Sequence, residues 1–169
     1  YALFMSVKQS FGGVSWTDWD DPYRNHDEEL LARFSFEYGS AISEWKAIQY
    51  MFFRQWKTLR TYAEQKGIRI IGDMPIYVSM DSADVWAHPE MFQLDGERRP
   101  VEVSGCPPDG FSDKGQMWGN PLFDWEGMKK DGYSWWNRRI EYLTGIYHVL
   151  RIDHFRGFES YYAIPYGAD

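Results

Sequence analysis

Twice in this chain an apolar run of strand length ends in an aspartate, and each run follows a stretch with helical period. Near the C-terminus, Tyr147-His148-Val149-Leu150 leads into Arg151-Ile152-Asp153-His154-Phe155-Arg156-Gly157-Phe158, where Val149, Leu150 and Ile152 read as a short buried strand ending in charge. Earlier, Ile68-Arg69-Ile70-Ile71-Gly72-Asp73 has the same form. Helix, short turn and apolar strand make the αβ half of a βα repeat, and parallel barrels present reacting carboxylates at the C-terminal ends of such strands. The pattern predicts two parallel strands that deliver Asp73 and Asp153 to one rim.

The helices that feed these strands are legible from spacing. From about Ser43 to Gln65, Trp45, Ile48, Phe52, Trp56, Leu59 and Ala63 recur at three- and four-residue steps, and Gly67 sits where a C-cap belongs. This aromatic stripe is expected to face a core rather than a sugar. From about Ser134, Trp136, Ile140, Leu143 and Tyr147 mark a second helix. Asp27 is placed to cap a shorter helix from Glu28 to about Phe36. Tyr1 to Val7 reads as a short apolar strand, and Phe11-Gly12-Gly13 with Asp21-Pro22 marks the loop after it.

Arg151 and Asp153 lie two residues apart, so on a strand both side chains leave from the same face, where the guanidinium stabilises an ionised carboxylate. A nucleophile needs that ionised form. The same pair also suits an ion pair that merely closes a strand end. Asp73 is likewise open to two readings, a ligand contact or the cap of a turn ahead of Pro75.

The 169 residues, 44% hydrophobic, suffice for one domain with a core, and no window holds the 18 or so apolar residues of a membrane span. A net charge of −7 without a basic cluster argues against nucleic acid. The one cysteine, Cys106, excludes an internal disulfide framework, and Tyr1-Ala2-Leu3-Phe4 carries no charged leader, so a cytoplasmic protein is expected. His26, His88 and His148 show no metal-ligand spacing, and neither a metal nor a cofactor is expected. Aromatic residues make up 19% of the chain. Most belong in a core, while some are available to stack on sugar rings.

More than fifty residues rich in turns and aromatics separate the first strand from the second helix. A loop of that length on the βα side of a barrel is expected to form a substrate wall. Within it runs Pro107-Pro108-Asp109-Gly110-Phe111-Ser112-Asp113-Lys114-Gly115-Gln116-Met117-Trp118-Gly119-Asn120-Pro121-Leu122-Phe123-Asp124-Trp125. This stretch resembles a signature of the 4-alpha-glucanotransferases (amylomaltase or disproportionating enzyme) of the alpha-amylase superfamily. Arg151 to Phe158 resembles the nucleophile strand of that family, Gly72 to Val78 its matching sugar-contacting element, and Phe11 to Trp16 its Phe-Gly-Gly-x-x-Trp segment.

The resemblance covers essentially the whole chain and implies an α/β fold, a fragment of a (β/α)8 TIM barrel with a long βα substrate loop. Residues 1–169 would be a central part of the catalytic barrel of a longer enzyme, with later strands absent. It implies Asp153 as nucleophile supported by Arg151, and Asp73, Asp109, Phe111, Gln116, Trp118 and His154 as substrate-binding residues. Gln116 and Trp118 would face the acceptor side, Phe111 would lie on a mobile covering loop, and His154 would offer an acceptor-side hydrogen bond. Residue chemistry alone also allows Trp118 to anchor the loop and His154 to be a structural imidazole.

The implied partners are maltooligosaccharides and other α-1,4-glucans of starch, glycogen or maltodextrin metabolism, with no nucleic acid and no membrane. The implied reaction is a retaining double displacement that moves a glucan segment to the 4-hydroxyl of an acceptor. Its acid/base glutamate has no match in this chain, so these residues are expected to be inactive alone. A hydrolytic alpha-amylase-like glycosidase and a non-catalytic glucan-binding fragment are the alternatives.

Overall fold

The computed structural model describes residues 1–110 and 112–168. The chain forms two compact units, Tyr1–Arg69 with Asp81–Ala87, and Ile70–Met80 with His88–Asp169.

The first unit is helical. Its elements are α1 (Ala2–Ser10), α2 (Asp21–Arg24), α3 (Glu28–Glu37), α4 (Gly39–Gln65) and, after a long excursion, α5 (Ala83–Ala87). The apolar run at the start is therefore a helix and not a strand. Phe4 and Val7, one turn apart, are its buried apolar residues, and Ser6, also buried, donates from its hydroxyl back to the Ala2 carbonyl at 2.9 Å. That i, i+3 spacing satisfies helical burial as well as a short run satisfies a strand, and Ala, Leu and Met favour the helix. Phe4, Trp16, Trp19, Phe34, Val85 and Trp86 are buried in this unit. The Trp86 indole N–H donates to the Tyr23 carbonyl at 2.9 Å, and Asp81 accepts from Lys8 and from the Trp16 amide. The Asp27 cap is present: its Oδ1 accepts from Leu30 N at 2.8 Å.

The aromatic stripe of α4 departs from expectation. Only Ile42 and Ala63 are buried on this helix, while Ile48, Phe52 and Leu59 are exposed and Trp45 and Trp56 half-buried. Length accounts for this. The 27 residues of α4 span about 40 Å, whereas α1 and α3, which pack on it, have 9 and 10 residues and reach about 15 Å each. Much of the stripe outruns what is laid against it. The helix ends as predicted, with Gly67 at φ +70° and its amide donating to the Glu64 carbonyl at 2.9 Å.

The second unit is mixed. Strand β1 (Ile71–Met74) pairs in parallel with β4 (Val149–Ile152), in the register Ile71↔Val149, Gly72↔Leu150, Asp73↔Arg151 and Met74↔Ile152. Strand β4 is half-buried rather than fully buried as its apolar run suggested. A second sheet, antiparallel and ordered β3-β2-β5, consists of β2 (Glu102–Cys106), β3 (Gln116–Pro121) and β5 (Tyr162–Pro165). The segment expected to be one long loop thus holds α5, β2 and β3. Its glycines and prolines mask strand β2, which pairs with β3 nearby and with β5 more than fifty residues downstream.

Helices α6 (Trp125–Lys130) and α7 (Ser134–Ile146) complete this unit, with the Asp124 carboxylate accepting from Gly127 N at 3.0 Å. Met74, Ile76, Phe123, Met128 and Trp136 are buried here. Arg139 on α7 donates to the Ile76 and Pro75 carbonyls at 3.2 and 2.7 Å, and its guanidinium lies 5.1 Å from the Trp135 ring and 5.2 Å from that of Trp136. It clamps the chain just beyond β1. Among the described residues, no helix is long and apolar enough to cross a membrane.

Candidate active site

The parallel register decides where the acids stand. Asp73 is paired with Arg151 across the β1/β4 ladder, and Asp153 follows β4 directly. Arg151 uses both arms of its guanidinium, donating from Nη1 to Asp73 Oδ2 at 2.5 Å and from Nη2 to Asp153 Oδ1 at 2.6 Å. A planar fork with fixed donors suits this double engagement, which a flexible ammonium does not reproduce. All three side chains remain more than half exposed, so the bridge faces open space.

His154 comes next and adopts left-handed backbone, φ +49°, ψ +46°. For a non-glycine residue that conformation is costly, and it turns the chain sharply into a short 3-10 turn, Phe155–Phe158. The imidazole meets the Trp118 ring edge to face, with centroids 5.0 Å apart and planes at 85°. On β3, Gln116 and Trp118 are two residues apart and share a face, and the Trp118 indole N–H donates to Gln116 Oε1 at 3.0 Å. Side-chain contacts therefore run unbroken from Asp73 through Arg151 to Asp153, and from its neighbour His154 through Trp118 to Gln116. Trp118 is 37% exposed, so part of its side chain is accessible. His154 also borders a cleft of about 350 Å³ lined by Cys106, Arg156, Ser160 and Tyr161 among others.

Asp109 lies on the loop between β2 and β3, where its Oδ1 accepts from Ser112 N at 2.9 Å and shapes the turn. Phe111, also expected at the site, lies outside the described residues. Sequence reasoning missed Tyr77. Its ring stacks on Phe123 with planes 15° apart and lies 6.2 Å from Trp118 and 6.4 Å from His154. Burial, with a smaller contribution from Tyr161, pushes the Tyr77 phenol up to about 12. Its hydroxyl is buried without a hydrogen-bond partner among the described residues. Asn120 was also missed; its amide donates to the Val78 carbonyl at 2.9 Å and ties β3 to the segment that carries Tyr77.

The family model described as 4-alpha-glucanotransferase matches residues 1–169. This chain belongs to that family. A 4-alpha-glucanotransferase of Thermus thermophilus is 50% identical over 98% of this chain and 33% of its own length. A potato (Solanum tuberosum) relative, named 4-alpha-glucanotransferase, chloroplastic/amyloplastic, is 48% identical over 97% of this chain and 28% of its own. The plant name shows that family membership does not fix a cellular compartment. Among solved structures, an amylomaltase of Streptococcus agalactiae in complex with acarbose superposes with a TM-score of 0.94 at 44% identity, covering 99% of this chain and 34% of that one. The chain spans about a third of the length of the curated 4-alpha-glucanotransferases it matches.

Proposed function

We propose that these residues form the nucleophile side of the active site of a 4-alpha-glucanotransferase that transfers α-1,4-glucan segments by retaining double displacement. The observation that carries this reading is the Arg151 guanidinium bridging Asp73 and Asp153 at the ends of adjacent parallel strands. Arg151 holds Oδ1 of Asp153 and leaves Oδ2 to attack. In the first step Oδ2 bonds to the anomeric carbon as the bond from that carbon to the leaving 4-oxygen breaks, and a carboxylic acid protonates the leaving oxygen. In the second step the 4-hydroxyl of an acceptor glucan attacks the same carbon, gives its proton to the same carboxylate and releases Asp153.

The acid/base must stand about 5–5.5 Å from the nucleophile in a retaining enzyme. No carboxylate of this chain is assigned to it, and we place it on a part of the barrel outside these 169 residues, which would be inactive alone. Asp73 would hydrogen-bond the sugar at the reacting position. Trp118 and Gln116 would receive the acceptor, one by stacking on a ring face and the other by hydrogen-bonding hydroxyls, with Asp109, Phe111 and His154 alongside. Acarbose, the ligand of the Streptococcus agalactiae amylomaltase, supports a glucan-like ligand here.

Products formed from maltotriose by the intact enzyme test the reading. Longer maltodextrins are the expected outcome. Release of shorter sugars alone would make the protein a hydrolase, and glucan binding without any product would make it a binding module.

A further inference from the structure

We infer that Gly157 is a positioning residue for His154, and that its missing side chain is the space that lets the imidazole stand against Trp118 for a glucan acceptor. The inference rests on the acceptor-side reading of His154 given above.

Gly157 is buried, and its φ is not in the left-handed region, so backbone conformation does not demand glycine. Space does. The 3-10 turn after β4 folds Gly157 back over His154, with the Gly157 amide donating to the His154 carbonyl at 2.8 Å. A Cβ at this position would lie 2.9 Å from His154 Cδ2, 3.5 Å from His154 Nε2 and 2.7 Å from Ile76 Cδ1. The Cδ2–Nε2 edge of the imidazole thus rests on the glycine. Nε2 is buried and has no hydrogen-bond partner among the described residues.

That arrangement leaves Nδ1, the opposite vertex of the ring, as the nitrogen able to meet a ligand hydroxyl. The orientation of the ring is set by packing, between Gly157 on one side and the Trp118 and Tyr77 rings on others. No hydrogen bond at Nε2 would restore it after a displacement. A methyl group at residue 157 would push the ring from below and tilt it relative to Trp118. The acceptor would then lose its hydrogen bond, while Asp153 and Arg151, which lie on the other side of the sharp turn at His154, would keep theirs.

The test uses the intact enzyme with maltotriose as donor and glucose as acceptor. Gly157→Ala should raise the acceptor KM about tenfold and change the rate of glycosyl-enzyme formation from α-maltosyl fluoride, whose leaving group does not fill the acceptor site, less than twofold in single turnover. Ile76→Val removes the Cδ1 that the new methyl would strike. The double variant Ile76→Val/Gly157→Ala should therefore recover thermal stability but not acceptor KM. In a His154→Ala background, Gly157→Ala should leave acceptor KM unchanged, because the displaced ring is gone. These two backgrounds carry the test if Gly157→Ala alone does not fold. Recovery of acceptor KM together with stability in the double variant would overturn the inference, as would an undiminished effect in the His154→Ala background. Normal acceptor KM in His154→Ala alone would also overturn it while leaving the transferase reading intact. Absence of transfer by the unmodified enzyme would instead overturn the transferase reading itself.

Discussion

Asp73 stands directly opposite Arg151 in the parallel β1/β4 ladder, and its carboxylate accepts from the guanidinium that also holds Asp153. One side chain on β4 thereby fixes the spacing of two acids that are 80 residues apart in sequence. Arg151→Lys in the intact enzyme should lower kcat on the order of 10²-fold, because an ammonium cannot span both carboxylates with fixed geometry. Steady-state kinetics on maltotriose check this, and a kcat near that of the unmodified enzyme would show that the bridge is only structural.

Asp153→Asn keeps size and shape but removes the charge that, in the proposed mechanism, forms the glycosyl-enzyme. Turnover should fall at least about 10⁴-fold, as when a nucleophile is deleted elsewhere. Glucan affinity, read by calorimetric titration, should stay within about tenfold, since the nucleophile acts in the chemical step. Substantial disproportionation by the variant would remove Asp153 from the role.

Trp118 is partly exposed and is held by Gln116 and His154. Trp118→Ala should raise the acceptor KM of the intact enzyme by about five- to tenfold, consistent with about 1–1.4 kcal/mol for a lost aromatic stacking contact. Its melting temperature should change little. A lower melting temperature with unchanged acceptor KM would favour a loop anchor.

Gly72 is a packing glycine of a different kind. A Cβ there would lie 2.0 Å from Tyr147 Cδ2 and 2.2 Å from Cγ, so the ring would have to leave its present position. Gly72→Ala should destabilise the protein by about 1–3 kcal/mol, the usual cost of overpacking. Denaturant unfolding of the variant measures this, and an unchanged midpoint would mean that Tyr147 yields freely.

How much of this was legible in sequence depended on the range of each interaction. The strands that deliver Asp73 and Asp153 were legible because an apolar run and a terminal acid are local, and the Arg151–Asp153 pair because residues two apart share a strand face. The sheet of β2, β3 and β5 was not, since pairing such as Val103 with Ile164 is decided by a partner far along the chain. The same distance hid Tyr77 from His154 and Trp118. At α1, seven apolar-rich residues fit either period, and only the burial of Phe4 and Val7 distinguishes them. At α4 the period correctly gave the helix, but period cannot say how far along its length other elements reach.

Tyr77 makes stability depend on alkaline pH. Its phenol is neutral at ordinary pH and is raised from 10.0 to about 12 because burial disfavours the phenolate, with Tyr161 adding to the effect. The folded chain therefore holds this proton more tightly than the unfolded one. The associated stability is fully present below about pH 10, and it is lost as pH rises from there through about 12. Tyr77→Phe abolishes this titration and also removes a buried hydroxyl without a partner among the described residues. At neutral pH the variant should be as stable as the unmodified protein or slightly more so, because no hydrogen bond is broken and an unpaired polar group leaves the interior. Between pH 10 and 12 its stability should fall less steeply. Denaturant unfolding across that range, with the phenolate followed by ultraviolet absorbance, checks both. Equal slopes for the two proteins would mean that the Tyr77 hydroxyl already reaches solvent, and a loss of stability at neutral pH would mean that it makes a bond worth keeping.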